Sequence, residues 1–332
     1  MRAANNARLH ALVGGALFLF LVVASHAGKP PSEIRSLALS PDGKLLAIDY
    51  GTGDTSFIYK VPINTGRATR LTNASDGEEA MPTFSPDGKQ IAYTYWPDHK
   101  RPRIVIVDID GSSPREWPPS EVADVSPVFS PDGKTIVFSR FGYFGSYSPI
   151  AQPHPHEWDF FASGFDGTNV RQLTSERFYK ASAPSVSPDG KCLLIAAEGV
   201  ETKEHLAIYS LDHAGLPLRT FQPHVPKEAD HKNPILAYPN YLPDGTVLFM
   251  AASNGKHGFD YDVYRLNLET GTIEQLTNEI GYATALTVSA EGKTAAFLKW
   301  QKNWLGNLAG YQLYLLDIES HKLSPLSITG LP

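Results

Sequence analysis

The sequence predicts an all-β fold, a six-bladed β-propeller of four-stranded antiparallel blades, on three observations. A five-residue turn motif recurs six times, an apolar run of strand length follows each copy, and the acidic residues of successive copies lie 45, 45, 57, 55 and 47 residues apart. That spacing suits a blade of four strands and exceeds the roughly 34 residues of a helical repeat.

The copies are Ser40-Pro41-Asp42-Gly43-Lys44, Ser85-Pro86-Asp87-Gly88-Lys89, Ser130-Pro131-Asp132-Gly133-Lys134, Ser187-Pro188-Asp189-Gly190-Lys191, Leu242-Pro243-Asp244-Gly245-Thr246 and Ser289-Ala290-Glu291-Gly292-Lys293. In each, a first strand ends where proline presets φ and glycine accepts the left-handed backbone of a tight reversal. The second strand is a run such as Ile91-Ala92-Tyr93, Ile136-Val137-Phe138 or Val247-Leu248-Phe249. Its lack of alternation predicts a strand covered on both faces, as stacked blades require. A third strand reaches a second turn, at Asp108 to Gly111, Gly164 to Gly167 and Glu269 to Gly271, and a fourth closes near Leu71-Thr72, Leu173-Thr174 and Leu276-Thr277. The expected blades are 33–73, 80–119, 125–175, 182–222, 237–278 and 283–327. With complete copies at both ends, the ring is expected to close blade against blade without a strand-exchanged blade.

In the Ser-Pro-Asp-Gly-Lys turn, the Ile-Ala-Phe-like strand and the Asp-Gly…Leu-Thr ending, the chain resembles the TolB-like propeller family. The resemblance covers essentially all of 28–332 and implies the six-bladed fold. TolB itself carries an α/β domain ahead of its propeller; here Glu33 and Ile34 already begin the first expected blade. The propeller-bearing prolyl-oligopeptidase-like peptidases are set aside because no Gly-x-Ser-x-Gly elbow is present.

Ahead of the repeats, Arg2 and Arg8 precede an uncharged apolar run from Ala11 to Ala24, followed by Ser25-His26-Ala27. This reads as a signal peptide over 1–27, too short to span a bilayer, and predicts a periplasmic or secreted protein over 28–332 with no membrane span after cleavage. Without Arg2 and Arg8 the chain carries 27 basic and 35 acidic residues, a formal charge of about −8. Nucleic acid and anionic lipid are therefore excluded as partners. Cys192, the single cysteine, lies in an apolar run and reads as a small core residue. A monomer is expected.

The repeated turns are short, whereas the chain lengthens at 95–103, 140–157, 198–205, 222–237, 252–261 and 299–310. In a propeller all of these connections fall on one face, where variable chemistry is placed. The face collects His99, His154, His156, His224, His231 and His257 with Trp96, Trp300 and Trp304. Its densest stretch is Gln152-Pro153-His154-Pro155-His156-Glu157-Trp158-Asp159-Phe160, expected as the tail of a long loop entering a strand near Trp158. Glu79 and Asp124, each eight residues ahead of a turn aspartate, are expected to form an acidic rim at the channel mouth.

These residues support two readings. One is a non-catalytic binding module for a protein or glycan partner, without cofactor, using His154, His156, Glu157, Trp158, His224, His231, Trp96, Trp300, Trp304, Glu79 and Asp124; aromatic side chains stack on sugars or anchor protein contacts. The alternative is a metal-dependent polysaccharide lyase or hydrolase, in which His154, His156, His224 and His231 hold one divalent transition metal. Secreted sugar-acid lyases with propeller folds use similar histidine-rich sites. Against it, Pro153 and Pro155 favour polyproline II, which turns about 120° per residue and aims the two histidines apart. The turn aspartates read as turn chemistry rather than calcium ligands, since each turn brings a single carboxylate.

Overall fold

The computed structural model describes residues 33–52, 55–75, 77–97, 101–118, 122–145, 154–198, 204–225, 235–255, 258–278, 280–302 and 308–332. Among them there is no helix, and so none long and apolar enough to cross a membrane. The strands follow the sequence repeats. Repeat unit one gives β1 (Glu33–Leu39), β2 (Leu45–Thr52), β3 (Thr55–Pro62) and β4 (Thr69–Arg70); unit two gives β5 (Glu78–Phe84), β6 (Gln90–Trp96), β7 (Arg103–Asp108) and β8 (Arg115–Glu116). Unit three gives β9 (Ala123–Phe129), β10 (Thr135–Gly145), β11 (His154–Gly164) and β12 (Arg171–Gln172). In unit four the first strand is split into β13 (Lys180–Ala181) and β14 (Ser185–Val186), ahead of β15 (Cys192–Glu198), β16 (His205–Ser210) and β17 (Arg219–Phe221). Unit five gives β18 (Ile235–Tyr241), β19 (Val247–Gly255), β20 (Gly258–Leu266) and β21 (Ile273–Gln275); unit six gives β22 (Ala283–Val288), β23 (Thr294–Lys302), β24 (Leu308–Asp317) and β25 (Leu323–Leu326).

Within a unit, neighbouring strands pair antiparallel, the fold of a β-propeller built from four-stranded sheets. Units one and two join into one eight-stranded sheet through a single parallel pair, Ser56 with Glu78. The first strands touch in sequence: β1 meets β5, β5 meets β9, β9 meets β14, β14 meets β18, β18 meets β22, and β22 returns to β1.

The repeated motif explains the repeated geometry. In units one to four the serine Oγ accepts the backbone N–H five residues on and donates to the turn carboxylate, for instance Thr135 N to Ser130 Oγ at 3.0 Å and Ser130 Oγ to Asp132 Oδ1 at 2.6 Å. Gly133 sits at φ 71° and faces Pro86 of the preceding unit, as Gly88, Gly190 and Gly292 face Pro41, Pro131 and Pro243. The Leu-Thr ending is a second device. The hydroxyls of Thr72, Thr174 and Thr277 accept the N–H of Ile58, Phe160 and Val263, and each donates to a buried carboxylate, that of Glu79, Asp159 or Asp262. Between sheets lie clusters such as that of Ile104, Ile106, Phe129, Ile136 and Phe138. A fully buried phenylalanine of this kind is worth about 2–3 kcal/mol of transfer free energy.

First strands share an irregularity. Their register slips between Ile34 and Leu37, Ala80 and Thr83, Val125 and Val128, Ala237 and Asn240, and Thr284 and Thr287. Met81, Ser126, Tyr238 and Ala285 have positive φ there, a bulge that redirects the strand beside the central channel. The C-terminal segment returns to unit one, where Ala68 N donates to Thr329 O at 2.8 Å and Thr329 N to Gly66 O at 2.9 Å.

Candidate functional site: the mouth of the central channel

The first strands surround a cavity of about 590 Å³ to which all six repeat units contribute. One end follows from the turn motif: Pro41, Pro86, Pro131, Pro188 and Pro243, with Ala290, line it as an apolar collar. At the other end, where the first strands begin, the walls change from unit to unit.

On units one and two the wall is charged. Glu33, Arg35, Asp49 and Glu78 all line the cavity. Arg35 Nη1 donates to Glu78 Oε1 at 2.5 Å. Asp49, on β2, is wholly buried, and its Oδ1 accepts the backbone N–H groups of Arg35 (3.0 Å) and Ser36 (2.5 Å) at the β1 bulge. Its Oδ2 has no hydrogen-bond partner among the described residues. Burial pushes the carboxyls of Asp49 and Glu33 above the usual carboxylate range, against the opposing pull of Arg35.

On units five and six the wall is aromatic. Tyr238, Tyr261, Tyr282 and Tyr311 line the cavity. Tyr261 and Tyr282 meet edge to face at 5.8 Å between ring centroids, and Trp300 packs 6.3 Å from Tyr282 and 4.4 Å from Tyr311. Burial pushes the hydroxyls of Tyr261, Tyr282 and Tyr311 upward, so all three stay neutral.

The expected site residues fall into different places. Trp300 belongs to this aromatic wall. Glu79 and Asp124 do not line the channel. Glu79 is buried against Thr72 and Ile58 N of unit one, and Asp124 is held by Arg140 through two contacts of 2.6 and 3.0 Å. The acidic rim is made one residue earlier, by Glu33 and Glu78, because a strand alternates faces and a shift of one residue exchanges channel for sheet. Trp96 and Trp158 are buried in the sheet cluster, Trp158 with its ring 5.2 Å from Phe141, so neither is an exposed platform.

The histidine stretch also differs from its expectation. β11 starts at His154, paired with Gly145, rather than near Trp158. The stretch is therefore extended strand, and the divergence expected of a polyproline spacing does not apply. His156 is buried, 5.6 Å from the Tyr179 ring, and Glu157 pairs with Arg177. Asp159 supports Thr174 and the N–H of Glu176. His224 is exposed. The side chain of His154, and His231 and Trp304 altogether, lie outside the described residues. Among the described residues no three histidine, cysteine or carboxylate side chains converge as metal ligands do.

Residues 24–216, more than half of the chain and ending within repeat unit four, match a family model, the TolB beta propeller domain. The chain belongs to the TolB β-propeller family. No curated protein matches it in sequence. Among solved structures it resembles TolB from Acinetobacter baumannii, with 15% identity and a TM-score of 0.57, covering 90% of this chain and 65% of that one. This TolB-family chain thus spans somewhat less than two thirds of that TolB. It also resembles an oligogalacturonate lyase in complex with manganese (16% identity, 87% and 75% coverage, TM-score 0.56) and a nidogen–laminin complex (14%, 82% and 90%, 0.57). At these identities the likeness concerns the fold.

The channel residues Glu33, Asp49, Glu78 and the four tyrosines were not singled out from sequence, although a signal existed. Glu33, Glu78 and Tyr282 stand seven residues before the serine of their turns, and Asp49 is the only ionisable residue in a column otherwise filled by Thr94, Ser139, Ala196, Ala251 and Leu298.

Proposed function

We propose that this TolB-family chain is an exported, periplasmic or secreted six-bladed propeller, monomeric and without a resident cofactor, that binds a protein or glycan partner through its long-loop face and channel mouth. One blade per repeat unit accounts for the cyclic contacts of the first strands. The single observation that carries the binding reading is the mouth itself: a cavity of about 590 Å³ with tyrosines on one wall and carboxyls on the other. Such sites orient a ligand by a few polar groups against an apolar surface. A protein role suits the nidogen–laminin likeness, a glycan role the lyase likeness.

The alternative, a metal-dependent polysaccharide lyase or hydrolase, draws on the likeness to the manganese-bound lyase and on His154, His156, His224 and His231. The two readings separate in one assay series. The chain is titrated with acidic and neutral oligosaccharides, with and without added manganese, and followed by calorimetry and by chromatography of the sugars. Saturable binding without cleavage, weakened by Tyr282→Leu, supports the binding module. Manganese-dependent cleavage lost in His156→Ala overturns it.

A further inference from the structure

Among the described residues, the lining of the channel mouth carries more carboxyls than cations. Of the described side chains lining the cavity, only Glu33, Arg35, Asp49 and Glu78 ionise near neutral pH, so one guanidinium stands among three carboxyls. Arg35 is engaged with Glu78. Asp49 uses Oδ1 to hold the β1 bulge and leaves Oδ2, wholly buried, with no hydrogen-bond partner among the described residues. A buried carboxylate oxygen in this condition is costly unless it takes up a proton or meets a donor, and a cationic donor gives the stronger contact.

The opposite wall presents what such a donor needs. Tyr238, Tyr261, Tyr282 and Tyr311 offer ring faces, which attract ammonium groups through their quadrupoles. Deeper in, Leu37, Leu39, Phe84 and Phe129 line the channel above the proline collar, alongside polar residues such as Thr83, Ser126 and Thr287, and offer an alkyl chain apolar contacts. Resting on the binding reading above, we propose that the channel mouth is a site for a primary alkylammonium group, its N–H donated to Asp49 Oδ2, its charge shared with Glu33 and the tyrosines, and its alkyl chain directed into the channel. A free amine and a lysine side chain carry this same chemistry.

The test is titration of the intact exported protein with n-butylamine, its neutral counterpart n-butanol, and a short peptide with one lysine, followed by tyrosine chemical shifts. At pH 7.5 the expected result is at least a tenfold preference for n-butylamine over n-butanol, shrinking as acid protonates the mouth carboxyls. Asp49→Asn keeps an oxygen for the bulge N–H groups but replaces Oδ2 by a donor, and should abolish the preference without lowering the melting temperature. If that variant fails to fold, Glu33→Gln, whose side chain holds no backbone group among the described residues, should still reduce the preference several-fold. Peptide binding with the same dependence on these substitutions identifies a lysine as the source; n-butylamine binding alone identifies a free amine. Equal binding of amine and alcohol to the unaltered protein, or a preference unchanged in the variants that fold, overturns the proposal. Oligosaccharide binding that persists in Asp49→Asn then leaves the broader binding reading standing, so the two fail separately.

Discussion

The two ends of the channel are made by the same six repeats, yet one is regular and the other is not. At the turn end, Gly88, Gly133, Gly190 and Gly292 each face the turn proline of the preceding unit, and the carboxylates of Asp42, Asp87, Asp132 and Asp189 are held by their own serines. At the loop end, equivalent positions carry Glu33, Glu78, Ala123, Lys180, Ile235 and Tyr282. Contacts that recur from repeat to repeat hold the turn end; the loop end varies from unit to unit and, among the described residues, holds the buried Oδ2 of Asp49 without a hydrogen-bond partner. Regularity marks what holds the ring, and departure from it marks what a ligand can use.

The largest effect that would sharpen this contrast lies in the shared scaffold. Phe138 is fully buried between Trp117 and Phe161, so Phe138→Ala should lower stability by about 3–5 kcal/mol in urea unfolding. It should leave ligand affinity of the folded fraction unchanged; a loss under about 1 kcal/mol would show that the sheets are not close-packed. Next, Thr174→Val strips Asp159 and Phe160 N of one partner each and should cost about 1–3 kcal/mol. The same change at Thr277 should cost a similar amount, because Asp262 and Val263 N repeat the arrangement.

A smaller effect separates the two ends by the sign of their pH dependence. Serine hydrogen bonds hold Asp132 below its ordinary range. A depressed carboxyl stabilises the fold above the unfolded aspartate value of about 3.9 and loses that contribution as pH falls through the folded value. Asp49 is the reverse: burial raises it, so its favourable contribution is complete below the unfolded value and is lost as pH rises through the folded one. Asp132→Asn should therefore flatten the acid limb of the stability curve, whereas Asp49→Asn should gain stability relative to the unaltered protein between about pH 4 and neutrality. Parallel curves for the two variants would remove the distinction between the ends. The smallest effect is expected of Ser130→Ala, about 1 kcal/mol, with no change in ligand binding.

These particulars also show what could be read from the chain alone. The Ser-Pro-Asp-Gly turns were legible because each is closed by hydrogen bonds within five residues, and the apolar second strands and Leu-Thr endings because they repeat along the chain. The site was less legible. Glu79 and Asp124 were expected at the mouth and Glu33 and Glu78 stand there instead, a displacement of one residue that the bulge in each first strand controls and composition does not reveal. Trp96 lies in a long connection by sequence and Trp158 at the expected start of a strand, but both fall within extended hairpins by structure, where pairing buries them. Asp49 lay in an apolar strand, and its meaning appears only when β1 brings two backbone N–H groups to one of its oxygens at the channel wall.

The measurement that most directly tests the central claim, a propeller that binds without a metal centre, is the metal content of the protein purified without an affinity tag, by elemental mass spectrometry before and after chelation. The account predicts less than a tenth of an equivalent of any transition metal and unchanged ligand binding after chelation. One equivalent of metal, removed by the chelator and lost in His156→Ala, would contradict it.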